Sequence, residues 1–245
     1  MSETDPTDQE PWRGLAPPAL REPALNLPVF VVLFAAFVIA VHAVRTLLLD
    51  RAQDLWVLII FAFIPARYGM EAPAYPVPLA AIWTPVSYAF LHADWTHVIV
   101  NLLWLAAFGS PVAVRIGNVR IVILSLIAAL AGAALHFAWY VGDTTPMIGA
   151  SAIVSGHMGA AARFAFQPGR RRGLNIHGPA LPLAKSLTDT RFLSFLAVWM
   201  GLNFVFGSGL VPIAGDGASI AWQAHVGGFV AGILAFSFLD KPSPQ

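Results

Sequence analysis

The chain alternates long apolar runs with short polar breaks, and the run lengths set the expected elements. Residues 25–49 are almost unbroken Leu, Val, Ala, Phe and Ile. In a helix, at about 1.5 Å per residue, such a run crosses the roughly 30 Å hydrocarbon core of a bilayer. Asp50 to Asp54 interrupts it, and Leu55 to Ile64 is apolar again but too short to cross. That suits a piece lying in or dipping into the interface. A proline- and aromatic-rich stretch follows, so Asp50–Ala93 reads as one long structured loop at the membrane surface. Further runs predict spans over 95–114, 120–141, 148–166, 191–210 and 218–239. The pattern therefore predicts an all-α polytopic membrane protein of six helices, with an interfacial loop between the first two.

Residues 25–240 are expected to form the membrane domain, between a flexible tail over 1–24 and a short tail over 241–245. The first stretch is acidic and proline-rich, without a basic segment leading into an apolar run and a small-residue cleavage site. It is expected to be a cytosolic tail rather than a signal peptide. No internal repeat stands out, which argues against a transporter built from inverted halves.

Composition supports the membrane reading. The chain is 58% apolar and 11% charged, with mean hydropathy +0.70, whereas soluble domains carry about 25% charged residues. The net charge of +1 gives no basis for a nucleic-acid partner. The absence of cysteine excludes disulfides, thiol catalysis and thiolate metal sites. With the N-terminus inside, 11 Lys and Arg residues fall on inside segments, including Arg170, Arg171 and Arg172. Only Arg45, Arg51 and Arg67, 3 in all, fall outside. This asymmetry places both termini in the cytoplasm. The arginine cluster reads first as a positive cytosolic loop and second as a lipid head-group site.

The polar groups inside the spans narrow the chemistry. No Asp or Glu lies in the interior of any predicted span, which counts against proton pumps and ion-coupled carriers. Histidine, serine and asparagine are present instead. His97 and Asn101 are four apart, hence on one face of the second span. Both can donate hydrogen bonds when neutral, which suits a transient oxyanion in a dry pocket. Ser151 is expected about one turn into the fourth span, in a run containing Gly149, Ala152, Gly156 and Gly159 that permits close helix approach. His225 is expected about two turns into the sixth span, with Gly228 and Gly232 on the same face. These spans all start outside and descend, so the four groups share one depth. Ser151 and His225 then form a candidate nucleophile and base, and the Ser151 N–H is a third oxyanion donor. No acid is evident to orient His225, so a dyad held by packing is expected. Ser155 and His157, close to Ser151, are read as packing groups.

In these residues the chain resembles the rhomboid family of intramembrane serine proteases, from about His92 to Gly232. The family's second-helix motif is met by His92, His97 and Asn101. Its nucleophile motif is matched by Gly149–Ala150–Ser151–Ala152. Its alanine–histidine pair with later glycines is matched by Ala224–His225, Gly228 and Gly232. The resemblance implies a six-helix rhomboid-like bundle in a bacterial inner membrane. It implies an endopeptidase cleaving transmembrane protein substrates near the outer face through Ser151 and His225, without cofactor or metal. His97, Asn101 and the Ser151 N–H would form the oxyanion hole, with His92 structural or near the substrate. Membrane lipids would surround the bundle, Asp50–Ala93 would wall the cavity, and the fifth span would gate it.

The chain departs from the family at three places. Ala152 stands where a second glycine is usual, which is expected to narrow the site or alter substrate preference. Ala113 stands where a glutamate is common. Arg67–Tyr68 occupies the region of a common Trp–Arg pair. Two other readings stay open: an inactive relative that binds membrane-protein clients, and a cofactor-binding or transport protein using His92, His97, His136 and His225.

Overall fold

A computed structural model describes residues 27–69, 75–165, 176, 178–207 and 220–240. It is an all-α polytopic membrane protein. The first helix, α1 (Val29–Leu47), buries Val31, Phe34 and Val38 on one stripe and exposes Val32, Leu33 and Phe37 on the other. Apolar exposure of that extent is costly in water and required in lipid.

The segment expected to lie at the interface is built of short pieces. Helix α2 (Arg51–Phe61) starts at a capping box in which Asp50 and Gln53 satisfy each other's backbone N–H. Turns at Pro65–Tyr68 and Pro78–Ala81 and the single-turn α3 (Thr84–Ser87) follow. Buried Arg67 donates to the Ile59 and Ala62 carbonyls, and the Tyr68 hydroxyl meets Ala81 O and Thr84 Oγ1. Arg67 and Tyr68 thus knit this segment together.

Helix α4 (Trp95–Trp104) continues through a π-helical turn, Leu105–Gly109, into α5 (Ser110–Trp139). Pro111 lacks an N–H and crowds the carbonyl four residues back, which accounts for the widened turn just ahead of it. Within α5 the helix breaks at Gly117, whose φ of 80° suits glycine. Among the described residues, three stretches are long and apolar enough to cross a membrane: Val29–Leu47, Trp95–Trp139 and Trp222–Leu239.

Helix α6 (Ser151–Ala165) is the centre of the bundle, and every residue from Ala152 to Phe164 is buried. Single-turn α7 (Leu183–Ser186), α8 (Thr190–Gly207) and α9 (Trp222–Leu239) complete the described helices. Glycine lets the backbones of α5, α6 and α9 touch. A methyl on Gly228 would overlap the Ala152 carbonyl, and one on Gly232 would overlap that of Gly156. At Gly156 it would lie 2.5 Å from Ala128 Cβ, and at Gly227 2.5 Å from Ala131 O. Close backbone approach of this kind is how helices associate where lipid removes the hydrophobic drive.

The first helix begins at Val29, not at 25, and two further helix starts that bear on the candidate site also differ from the sequence expectation. The fourth helix begins at Ser151, not at 148, and the last at Trp222, not at 218. Residues 147–150 are apolar yet extended, because Met147 pairs with Phe63 as an antiparallel bridge and Gly149 has φ 124°. Ser151 therefore opens its helix, and His225 lies in the first turn of its own. The expected tails over 1–24 and 241–245 and the end of the fifth span beyond 207 lie outside the described residues.

Candidate active site

The segment leading into Ser151 is pinned by the interfacial loop. Phe63 and Met147 exchange both backbone hydrogen bonds, at 3.1 and 2.8 Å, and Ala66 N–H donates to Asp143 O at 2.8 Å. Gly149 N–H donates to Tyr88 O at 3.0 Å, and Ala150 N–H to His92 Nε2 at 3.4 Å. Buried His92 thus acts as an acceptor one residue before Ser151. At the helix start the Ser151 N–H belongs to the first turn, whose N–H groups lack intrahelical acceptors.

Asp94 sets the phase of α4. Its carboxylate caps the helix by accepting from His97 N–H at 2.8 Å. The His97 ring then faces Gly149: a Cβ on that glycine would lie 2.8 Å from His97 Nε2 and 3.7 Å from Ser151 Oγ. His97 and Ser151 therefore flank one glycine, and no larger residue fits between them. The long 3.5 Å contact from Ala93 N–H to His97 Nδ1 makes Nδ1 the acceptor, so Nε2 carries the hydrogen and is the donor on the Gly149 side. Asn101 is buried a turn further on. One of its amide hydrogens goes to His97 O at 3.0 Å.

Packing seats the helix that carries His225 on the helix that Ser151 opens. Gly228, one turn on from His225, sits on the Ala152 backbone, and Gly132 of α5 faces both Ala152 Cβ and Ala224 O. His225 is also within electrostatic range of His97. Ser151, His97 and His225 are each half-buried rather than sealed. The Ala152 methyl does not enter this space. It is fully buried and points at Gly132, where an added Cβ would lie 2.6 Å from it. The expectation that it narrows the site is replaced by a core contact with α5.

A second serine–histidine pair lies deeper. Ser125 Oγ and His157 Nε2 are 2.9 Å apart between α5 and α6. The Ser125 hydroxyl also contacts Ile121 O at 2.7 Å. That carbonyl can only accept, so it takes the one hydroxyl hydrogen, and His157 Nε2 must be the donor to Ser125. A histidine that donates to a serine cannot deprotonate it. His157 is fully buried, with Phe30 edge-on at 5.9 Å. The pair ties two helices together.

Sequence reasoning did not single out Asp94, Tyr88, Gly132 or Asn203. Asn203, buried on α8, places Oδ1 2.6 Å from His225 Nδ1. Its signal was an amide in the interior of an apolar span.

Fold and site together define a polytopic α-helical membrane protein with a candidate serine–histidine centre at one end of its bundle. Residues 80–241, well over half of the chain, match the Rhomboid domain family. The chain belongs to the rhomboid family. Among curated proteins it is similar to the Rhomboid protease GlpG of Yersinia pseudotuberculosis serotype I, with 28% identity over 156 residues, 62% of this chain and 46% of that protein. With the Rhomboid protease GlpG of Haemophilus influenzae it shares 25% over 175 residues, 71% of this chain and 78% of that protein. An uncharacterised protein of Mycobacterium tuberculosis (strain H37Rv) matches at 25% over 170 residues, 68% of this chain. The chain spans 63% of the length of that mycobacterial relative.

Proposed function

We propose that the protein is a serine-type intramembrane endopeptidase that cleaves transmembrane segments of membrane proteins near the outer face, with Ser151 as nucleophile and His225 as base. The observation that carries this reading is the seating of Gly228 on the Ala152 backbone. It supports the reading because it seats the first turn of the His225 helix on the first turn of the Ser151 helix, while His97 lies across Gly149 from Ser151. In the reaction, His225 Nε2 takes the Ser151 hydroxyl proton as Oγ attacks the scissile carbonyl carbon. The carbonyl oxygen becomes an oxyanion, for which the Ser151 N–H, His97 Nε2–H and the second Asn101 amide hydrogen are the donors. Collapse of the intermediate breaks the C–N bond, and the amine leaves with the proton from His225. Water, activated by the same imidazole, then hydrolyses the acyl-enzyme.

The proposal includes six crossings. Trp95–Trp139 has 45 residues, about 68 Å at helical rise, or twice the hydrocarbon core. It is therefore read as two spans separated at Gly117. With α1, α6, α8 and α9 these make six, with both termini on the cytoplasmic side of a bacterial inner membrane. The partners are transmembrane substrates and the surrounding lipids.

The test is fluorophosphonate labelling of the purified protein, together with cleavage of a transmembrane substrate in proteoliposomes. Wild type is expected to label and cleave, and S151A and H225A to do neither. Labelling that survives in S151A overturns the assignment. Substrate binding without labelling or cleavage in wild type would instead mark a client-binding relative.

A further inference from the structure

The amide of Asn203 decides which nitrogen of His225 is the base. Asn203 Nδ2 donates to the Trp199 carbonyl, one turn back on α8, at 2.8 Å. Turning the amide end for end would set two oxygens against each other, so Oδ1 is committed to the 2.6 Å contact with His225 Nδ1. An oxygen facing a ring nitrogen at that distance requires a hydrogen on the nitrogen. A neutral imidazole carries one N–H, so Nε2 is left with its lone pair.

We propose that Asn203 is the positioning residue of this site. It holds His225 as the Nδ1–H tautomer and so keeps Nε2 free to accept the Ser151 proton, a role that rests on the Ser151–His225 reading above. When Nε2 gains that proton, the Nδ1–H bond to Oδ1 persists and strengthens, because the donor is now charged. A neutral amide does this without burying a carboxylate in an apolar bundle, where desolvation would be expensive. The amide is itself held in place. Phe195, Trp199, Asn203 and Gly207 recur every fourth residue and so share one face of α8. Phe195 and Trp199 stack on Phe229, with centroids 6.3 and 4.2 Å apart, and Gly207 abuts Trp222. Asn203 thus meets His225 between two fixed contacts.

The experiment uses the full chain in proteoliposomes, comparing wild type with N203A, N203L, N203D and S151A. Fluorophosphonate labelling rate, kcat and KM across pH for a transmembrane substrate, and the ¹⁵N spectrum of labelled histidines are the readouts. N203A and N203L are expected to lower kcat and labelling by roughly 10²-fold with KM unchanged, and to shift His225 to a mixture of tautomers. N203D accepts the same bond and is expected to recover most of the rate. Its carboxylate favours the imidazolium, so the acid limb of the rate profile moves to higher pH, His97 being the other titratable group nearby. Wild-type kcat in N203A overturns the inference, as does an unchanged His225 tautomer in N203A. If N203A and N203L fail to fold, N203D carries the test: a slow N203D with an unchanged acid limb overturns it. Labelling that persists in S151A would remove the Ser151 reading itself. Labelling lost in S151A with N203A at full rate would overturn the role of Asn203 alone.

Discussion

At position 152 a single methyl group separates two readings of the chain. Set beside Ser151 in the sequence, it reads as an obstruction. Its direction decides otherwise, because Ala152 Cβ packs on Gly132 of α5 and is fully buried. The pair behaves as one unit of volume, so a swap is informative. Ala152→Gly removes a buried methyl and adds a helical glycine, for an expected loss of about 1–2 kcal/mol, with activity retained by the folded protein. Gly132→Ala sets two methyls 2.6 Å apart and also presses on Ala224 O and Tyr88 Oη, at 2.9 and 3.0 Å, so it should destabilise more. The double variant relieves the first clash only and should recover part of the loss. Thermal unfolding in detergent measures all three. Additive effects in the double variant would show that Ala152 and Gly132 do not share this space.

Between elements, α6 and α9 carry the alignment of the site, and glycine carries the alignment of those helices. Gly228→Ala has no room, since the new Cβ would overlap the Ala152 carbonyl oxygen. The helices must separate, which moves His225 away from Ser151. Cleavage is expected to fall by at least about tenfold, because misplacement of an ångström can cost as much as 10². A wild-type rate in folded G228A would refute the close packing. Helix α8 is attached differently, through aromatic stacks. Trp199→Ala removes the Phe229 stack beside Asn203 and should reproduce the N203A defect in kcat without any change to the amide itself. If W199A keeps full kcat, the stack is not what holds Asn203 on His225. These contacts also mark what the chain's pattern revealed. That the apolar runs form helices was legible because a bilayer demands about 20 apolar residues per crossing. Their starts were not, because Met147 to Ala150 is as apolar as a helix yet bridges to Phe63. His97, Ser151 and His225 were legible as polar residues within apolar runs. Asn203 and Gly132 were not, since their roles depend on which face of α8 or α5 meets a neighbour.

Over the whole molecule, the candidate site is connected to α1 and α2 through Arg45. This buried arginine, in the last turn of α1, contacts both carboxylate oxygens of Asp54 on α2, at 2.7 and 3.2 Å. Its third bond goes to the His92 carbonyl at 2.8 Å. His92 in turn accepts the Ala150 N–H, next to Ser151. One chain of contacts therefore runs from α1 and α2 to the residue before Ser151. Arg45→Met keeps much of the stem packing but leaves the His92 carbonyl unpaired and Asp54 without its cation. The expected loss is about 1–3 kcal/mol, with a lower kcat because His92 and the loop it holds gain freedom. Asp54→Asn keeps one acceptor for the guanidinium and leaves the bond to His92 intact, so its effect should be smaller on both measures. Exposed Arg51→Ala is the control and should change neither. The ordering of the three variants, read from melting temperature and from kcat together, is the discriminating result. A fully stable and active R45M would mean that His92 is held by its own packing, and that the interfacial helices bear on the site only as a wall.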